Sequence, residues 1–140
     1  MKKRSSGFMI FGRSNPQIVY LMLKKSTKTK TWSPPKGRAD GNENDFQAAT
    51  RELQEETGYT LDDLNIYKDL CKTIVYNIEG VEKTVILWLA KLKDPQKKPI
   101  LSDEHTEYQW ATGDEAALIY EHPCFREMVS FFHDQIEKLP

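Results

Sequence analysis

Apolar positions along this chain fall into two kinds of pattern, continuous short runs and stripes at helical spacing. Gly7 to Phe11 and the run from Gln17 to Leu23 are continuous rather than alternating. Runs of that length predict two strands covered on both faces, joined by a turn at Asn15-Pro16. From Lys24 to Lys36 the chain is polar and rich in Lys, Thr and Ser, broken by Trp32 and halted by Pro34-Pro35. That composition predicts a long loop in which neither helix nor strand persists.

Period then changes. Phe46, Ala49 and Leu53 recur at i, i+3 and i+7, the stripe of an amphipathic helix. Asn44 is placed as its N-cap, Gln47 as the reciprocal partner in a capping box, and Asp45 at the positive end of the dipole. Gly58 after Thr57 supplies the left-handed C′ position. Next come two strand patterns, Asn65 to Ile78 and Lys83 to Lys93, around a hairpin turn at Glu79 to Glu82. Pro95 to Pro99 reads as a loop and Glu107 to Ala111 as a short strand. Ala116 to Tyr120 and Phe125 to Leu139 read as helices, the second with Phe125, Met128, Val129, Phe132 and Ile136 on one face. No repeat or low-complexity linker interrupts the 140 residues, so one domain over 1–140 is expected.

Charge alters this picture. The chain has 20 Lys+Arg and 21 Asp+Glu, but Met1 to Arg38 hold ten of the basic residues and no acid. The remainder carries 10 − 21 = −11. Such asymmetry points to polyanions and cations as ligands. The apolar runs fall far short of a membrane span, and no secretory leader pattern is present. Cys71 and Cys124 stand alone. A reduced, cytoplasmic protein is therefore expected, with the basic Lys2, Lys3 and Arg4 solvated.

Glu52, Glu55 and Glu56 share one helical face at i, i+3 and i+4, beside the apolar stripe. Only Arg51, four residues before Glu55, offers a helical counter-charge. A solvated acidic face is one explanation, and a bound divalent cation is the other. All-oxygen ligands suit magnesium or manganese rather than zinc.

These residues match the Nudix box, G-x5-E-x7-R-E-U-x-E-E-x-G-U, where U is bulky and apolar. Gly37, Glu43, Arg51, Glu52, Glu55, Glu56 and Gly58 fill all seven fixed positions of residues 37–59, Leu53 fills the first U, and Tyr59 departs mildly at the last. A chance match over the chain is on the order of 10⁻⁶. The chain thus resembles the Nudix hydrolases, which implies a mixed β-sheet sandwiched between α-helices (α/β/α) and cleavage of a nucleoside diphosphate linked to another moiety. By that resemblance Glu52, Glu55 and Glu56 bind Mg²⁺ or Mn²⁺. Gly37, Glu43, Arg51 and Gly58 are structural, with a Glu43–Arg51 ion pair that could also orient Glu55.

Outside the box, Trp32 to Gly37, the strand pair with Tyr76, Lys83 and Trp88, the Leu101 to His105 segment, and Phe125 to Met128 resemble the animal-type asymmetrical diadenosine tetraphosphate hydrolases. That resemblance implies an adenine sandwiched between Tyr76 and Phe125, phosphates met by Lys36 and Lys83, and Glu104 joining the metal site. Catalytic roles fall to Glu56, Glu55 and Glu104, with Glu56 favoured as general base. The family commonly has histidines before the Trp32 position and directly after the first box glycine, where this chain has Lys30-Thr31 and Arg38. Arg38 can hold a phosphate but cannot act as a neutral donor. The substrate implied is a small dinucleoside polyphosphate, diadenosine tetraphosphate cleaved to ATP and AMP, by a monomer that binds no nucleic acid or membrane. Nucleoside triphosphates, capped RNA, diphosphoinositol phosphates and a non-catalytic nucleotide-binding module are the alternatives.

Overall fold

The computed structural model describes residues 1–140. In chain order the elements are β1 (Lys2–Ser14), β2 (Gln17–Lys25), β3 (Trp32–Ser33), β4 (Lys36–Gly37), α1 (Asp45–Thr57), a single 3-10 turn (Leu61–Asp63), β5 (Leu64–Ile78), β6 (Val81–Leu92), β7 (His105–Thr112), α2 (Gly113–Ile119) and α3 (Phe125–Glu137). The strands form one sheet in the order β3-β2-β1-β6-β5, with β4 paired to β1 and β7 to β2. Only β1 and β6 run parallel, so the sheet is mixed.

Continuous apolarity in β1 and β2 serves two cores at once. Phe8, Ile10, Leu21 and Leu23 face α1 and pack with Ala49 and Leu53. Met9, Phe11, Tyr20 and Met22 face the other way, against Ala116 of α2 and Phe125, Met128, Phe132 and Ile136 of α3. Alternation along a strand sends neighbours to opposite faces, so a strand buried on both sides is apolar throughout. Each fully buried side chain of this size contributes roughly 1.5–3 kcal/mol. The result is the expected α/β/α sandwich.

Several boundaries differ from expectation. β1 begins at Lys2, so Lys2, Lys3 and Arg4 are strand residues in register with Glu82, Lys83 and Thr84 of β6, with exposed, solvated side chains. Their backbone hydrogen bonds hold them where their side-chain charge alone predicts freedom. The Lys24–Lys36 segment is not wholly loop, because Trp32–Ser33 pairs with β2 and Lys36–Gly37 with β1. The hairpin turn is tighter than expected. β5 and β6 close directly across Glu79 (φ 50°) and Gly80 (φ 79°). α2 starts at Gly113, capped by Thr112 in a complete capping box. No helix is long and apolar enough to cross a membrane.

Candidate active site

α1 is fixed at both ends as its sequence implies. The Asn44 side chain accepts from Gln47 N at 2.8 Å, the Gln47 side chain accepts from Asn44 N at 2.9 Å, and Gly58 caps the end at φ 75°. Tyr59, the one departure from the box, is fully buried and donates its hydroxyl to Lys97 O at 2.6 Å. An aromatic is accommodated because its polar end is satisfied.

Arg51 is the hub of the box. Its guanidinium donates to both Glu43 oxygens (2.8 and 3.0 Å), to Glu52 Oε1 at 2.7 Å, to both Glu55 oxygens at 3.1 Å and to the Arg38 carbonyl at 2.8 Å. The Glu43–Arg51 pair therefore ties the Arg38–Glu43 loop to the helix. Glu43 is held below the usual carboxylate range, first by this hydrogen bond and then by Asp40 N–H. Arg51 also reaches Glu52, a partner that helical i, i+4 arithmetic misses, because its fork spans adjacent residues.

Glu52 and Glu56 turn inward together and Glu55 does not. The Glu55 side chain is 55% exposed and rests on Arg51. Glu52 and Glu56 lie together and Glu104 lines the same cleft, but no three acidic, His or Cys side chains are clustered without an ion present. Glu56 is 4% exposed and accepts from Lys36 N at 3.1 Å. Burial, and then the hydrogen bond and negative charge of Glu52, push its carboxyl up to about 9. Gly37 lies directly against this pair. A Cβ there would sit 2.1 Å from Glu52 Cδ, so only glycine lets the loop approach the carboxylates this closely.

Both carboxylates line a cleft of about 520 Å³, a size suited to a nucleotide. Lys36, Arg38 and Lys83 line it too, and Glu104 enters from the loop before β7. Its backbone position is fixed by its carbonyl, which accepts from Ser26 N at 2.9 Å. Lys36 is drawn down to about 8, by burial first and the nearby Lys25 charge second. Lys83 Nζ donates to Glu121 Oε2 at 2.8 Å.

The aromatic end differs from expectation. Phe125 is fully buried, and the Tyr120 ring lies on it at 4.2 Å and 9°. Tyr76, 4% exposed, meets Tyr120 edge-on at 5.9 Å, shares a 2.7 Å hydroxyl contact with it, and donates to Glu121 Oε2 at 2.6 Å. The other neighbour of Tyr76 is His122, stacked at 4.9 Å. Tyr120 thus lies on one face of Phe125, and Tyr76 and Phe125 are bridged by Tyr120 rather than facing each other directly.

Four site residues escaped sequence reasoning. Lys3 and Lys25 line the cleft because β1 and β2 extend further than their apolar runs. Glu121 joins Lys83 to Tyr76, a contact between distant segments that no local spacing encodes. His105 also lines the cleft, 6% exposed, with Nδ1 sealed from solvent and without a partner. Burial, then the charges of Lys25 and Lys36, draw it down to about 4, so it is a neutral imidazole near pH 7.

Known proteins share this arrangement. A NUDIX domain model matches residues 1–132. An asymmetrical bis(5'-nucleosyl)-tetraphosphatase of Rattus norvegicus is 38% identical over 134 residues, covering 91% of this chain and 89% of that protein. Its Caenorhabditis elegans counterpart is 36% identical over 119 residues, covering 85% and 86%. A crystal structure of a C. elegans Ap4A hydrolase binary complex superposes with a TM-score of 0.90 at 32% identity, over 97% of this chain and 98% of that one. With its box intact and its sheet and helices in the same order, the chain belongs to the Nudix family.

Proposed function

We propose that this chain hydrolyses 5′,5′-dinucleoside polyphosphates, diadenosine tetraphosphate foremost, to ATP and AMP. The observation that carries this reading is the buried Glu52–Glu56 pair facing basic side chains across one nucleotide-sized cleft. The similarity to bis(5'-nucleosyl)-tetraphosphatases over most of the chain supports the substrate class. Two carboxylates crowded until one holds its proton form a donor set that a divalent cation relieves, and oxygen-only donors fit Mg²⁺, with Mn²⁺ as substitute. Glu52 and Glu56 would hold it, with Glu104 and a turned Glu55 as further oxygen donors. Bound there, the ion would acidify a water and offset phosphate charge.

The chain's own groups do the rest. Glu56 Oε1 is anchored by Lys36 N–H, which orients the carboxylate to take a proton from the attacking water. Lys36 and Arg38 hold phosphate oxygens, and Lys83 joins them by exchanging Glu121 for phosphate. Tyr76, with Tyr120 in the role expected of Phe125, receives one adenosine. Fixing that adenosine decides which phosphorus faces the water. The enzyme acts as a cytoplasmic monomer, a single domain over residues 1–140. Product analysis with magnesium tests the reading. Equal ATP and AMP from diadenosine tetraphosphate support it. Two ADP, or no turnover while a nucleoside triphosphate, capped RNA or diphosphoinositol phosphate is cleaved, overturns it.

A further inference from the structure

Basic residues near the cleft divide into two sets by whether they have an ion-pair partner. Lys2 meets Glu82 at 3.7 Å, Arg4 meets Asp45 at 2.7 Å, and Lys24 meets Glu107 at 3.0 Å. Lys3 lies between the first two and Lys25 follows the third, yet neither has an ion-pair partner, and both line the cleft. Strand alternation accounts for Lys3. It sits opposite Lys83 and, two residues on, Ser5 sits opposite Val85, and all four line the cleft. Lys25 is the last residue of β2, where the β2–β7 ladder ends in an irregularity whose extra residue, Thr106, lies on β7.

β4 takes the place beside β1 that β2 holds further along, so Lys36 enters between the two strands. Lys25, Lys36, Lys3 and Lys83 therefore come from β2, β4, β1 and β6, one cation per strand across the sheet end. Lys36 pairs with Gly7 and Lys3 with Lys83, so the four are spread about 13 Å along β1 as well as across the strands. Lys36 and Lys83 sit closest to acids, beside Glu56 and on Glu121. Lys3 and Lys25 add positive charge beyond what a four-phosphate chain bound by Lys36, Arg38, Lys83 and a divalent cation requires.

We propose that Lys3 and Lys25 extend the phosphate track and raise the cleft's activity on chains longer than four phosphates relative to what it would be without them, the tetraphosphate remaining the foremost substrate. This rests on the polyphosphate-hydrolase reading given above. The added phosphates of a penta- or hexaphosphate meet unpaired ammonium groups, and no acid must be displaced to make those contacts. Arg4 and Lys24, engaged with their own carboxylates, take no part.

The test compares the wild type, the Lys3→Gln/Lys25→Gln double variant and Lys2→Gln. The first readout is the ratio of kcat/KM for diadenosine hexaphosphate to that for the tetraphosphate, with magnesium. The double variant is expected to lower this ratio about tenfold, a few-fold for each solvent-screened contact, while Lys2→Gln leaves it unchanged. The second readout is calorimetric affinity for linear inorganic tripolyphosphate and hexapolyphosphate. The preference for the longer chain should shrink by a similar factor in the double variant alone. If the wild type hydrolyses the tetraphosphate and neither ratio moves, the extended track is wrong. If the tetraphosphate is not hydrolysed at all, the functional reading fails, and the inorganic chains still decide the role of the two lysines. Unchanged thermal midpoints confirm that these exposed substitutions leave the fold intact.

Discussion

On the wall of the cleft Glu52 and Glu56 are held by a glycine, a guanidinium and a backbone N–H. At the other end of the site, reached through the Lys83–Glu121 pair, Tyr76, Tyr120 and Phe125 fill their own space, ring upon ring, with hydroxyls and Glu121 closing the polar edges. The carboxylate end crowds two acids that Arg51 and a retained proton only partly relieve. The aromatic end is already satisfied, so a ligand there competes with contacts the protein makes to itself. Chemistry can be preorganised by leaving a group unsatisfied, whereas stacking surfaces tend to collapse on one another unless something holds them open.

The contrast can be broken from either side. Glu56→Gln should leave a folded protein whose turnover falls by roughly 10²–10⁴, since the proton acceptor goes while the hydrogen bond from Lys36 N can persist. Near-normal turnover in that variant would remove Glu56 as the base. Phe125→Ala should act on stability instead, costing about 3–5 kcal/mol in denaturant unfolding, as for any fully buried aromatic. A variant that unfolds normally but loses adenosine affinity would restore Phe125 to the binding surface. Tyr76→Phe removes the hydroxyl shared by Tyr120 and Glu121 and should cost about 1–2 kcal/mol.

The smallest effect lies outside both ends. Asp45 is held below its usual range by the hydrogen bond and charge of Arg4. A carboxyl depressed by folding stabilises the native state above its unfolded pKa, and that contribution is lost as pH falls through the folded value. Asp45→Asn should therefore cost at most about 0.5–1 kcal/mol at pH 7, since the pair is partly exposed, and nothing below about pH 2. An equal loss at both pH values would assign the effect to packing.

Sequence spacing conveys the first end well because its contacts are local. The capping box, Gly58, the Glu43–Arg51 pair and the shared helical face of Glu52 and Glu56 all fall within residues 37–59. Two features there were still missed. Arg51 engages its neighbour Glu52, and it keeps Glu55 turned outward, away from the other carboxylates. The second end is less legible because it joins residues more than forty positions apart. Similarity marks Tyr76 and Phe125, but only the fold shows Tyr120 and the Glu121 carboxylate inserted beside them. Lys3 is solvated as its charge implies, but its place in a strand is not legible, because a parallel ladder with β6 leaves no trace in local composition.

Lys36 stands on a strap with two anchors, the Pro35 carbonyl accepting from Phe8 N at 3.1 Å and the Lys36 N–H donating to Glu56. Upstream, Thr27 to Lys30 bond chiefly among themselves, through the Thr27–Thr29 hydroxyls and Lys30 N to the Thr27 carbonyl. Changes in length there are absorbed before they reach the strap, at a closure cost of only about 0.6 kcal/mol per doubling. The segment is therefore free to diversify, by evolution or by grafting, while the lysine that lines the cleft keeps its place.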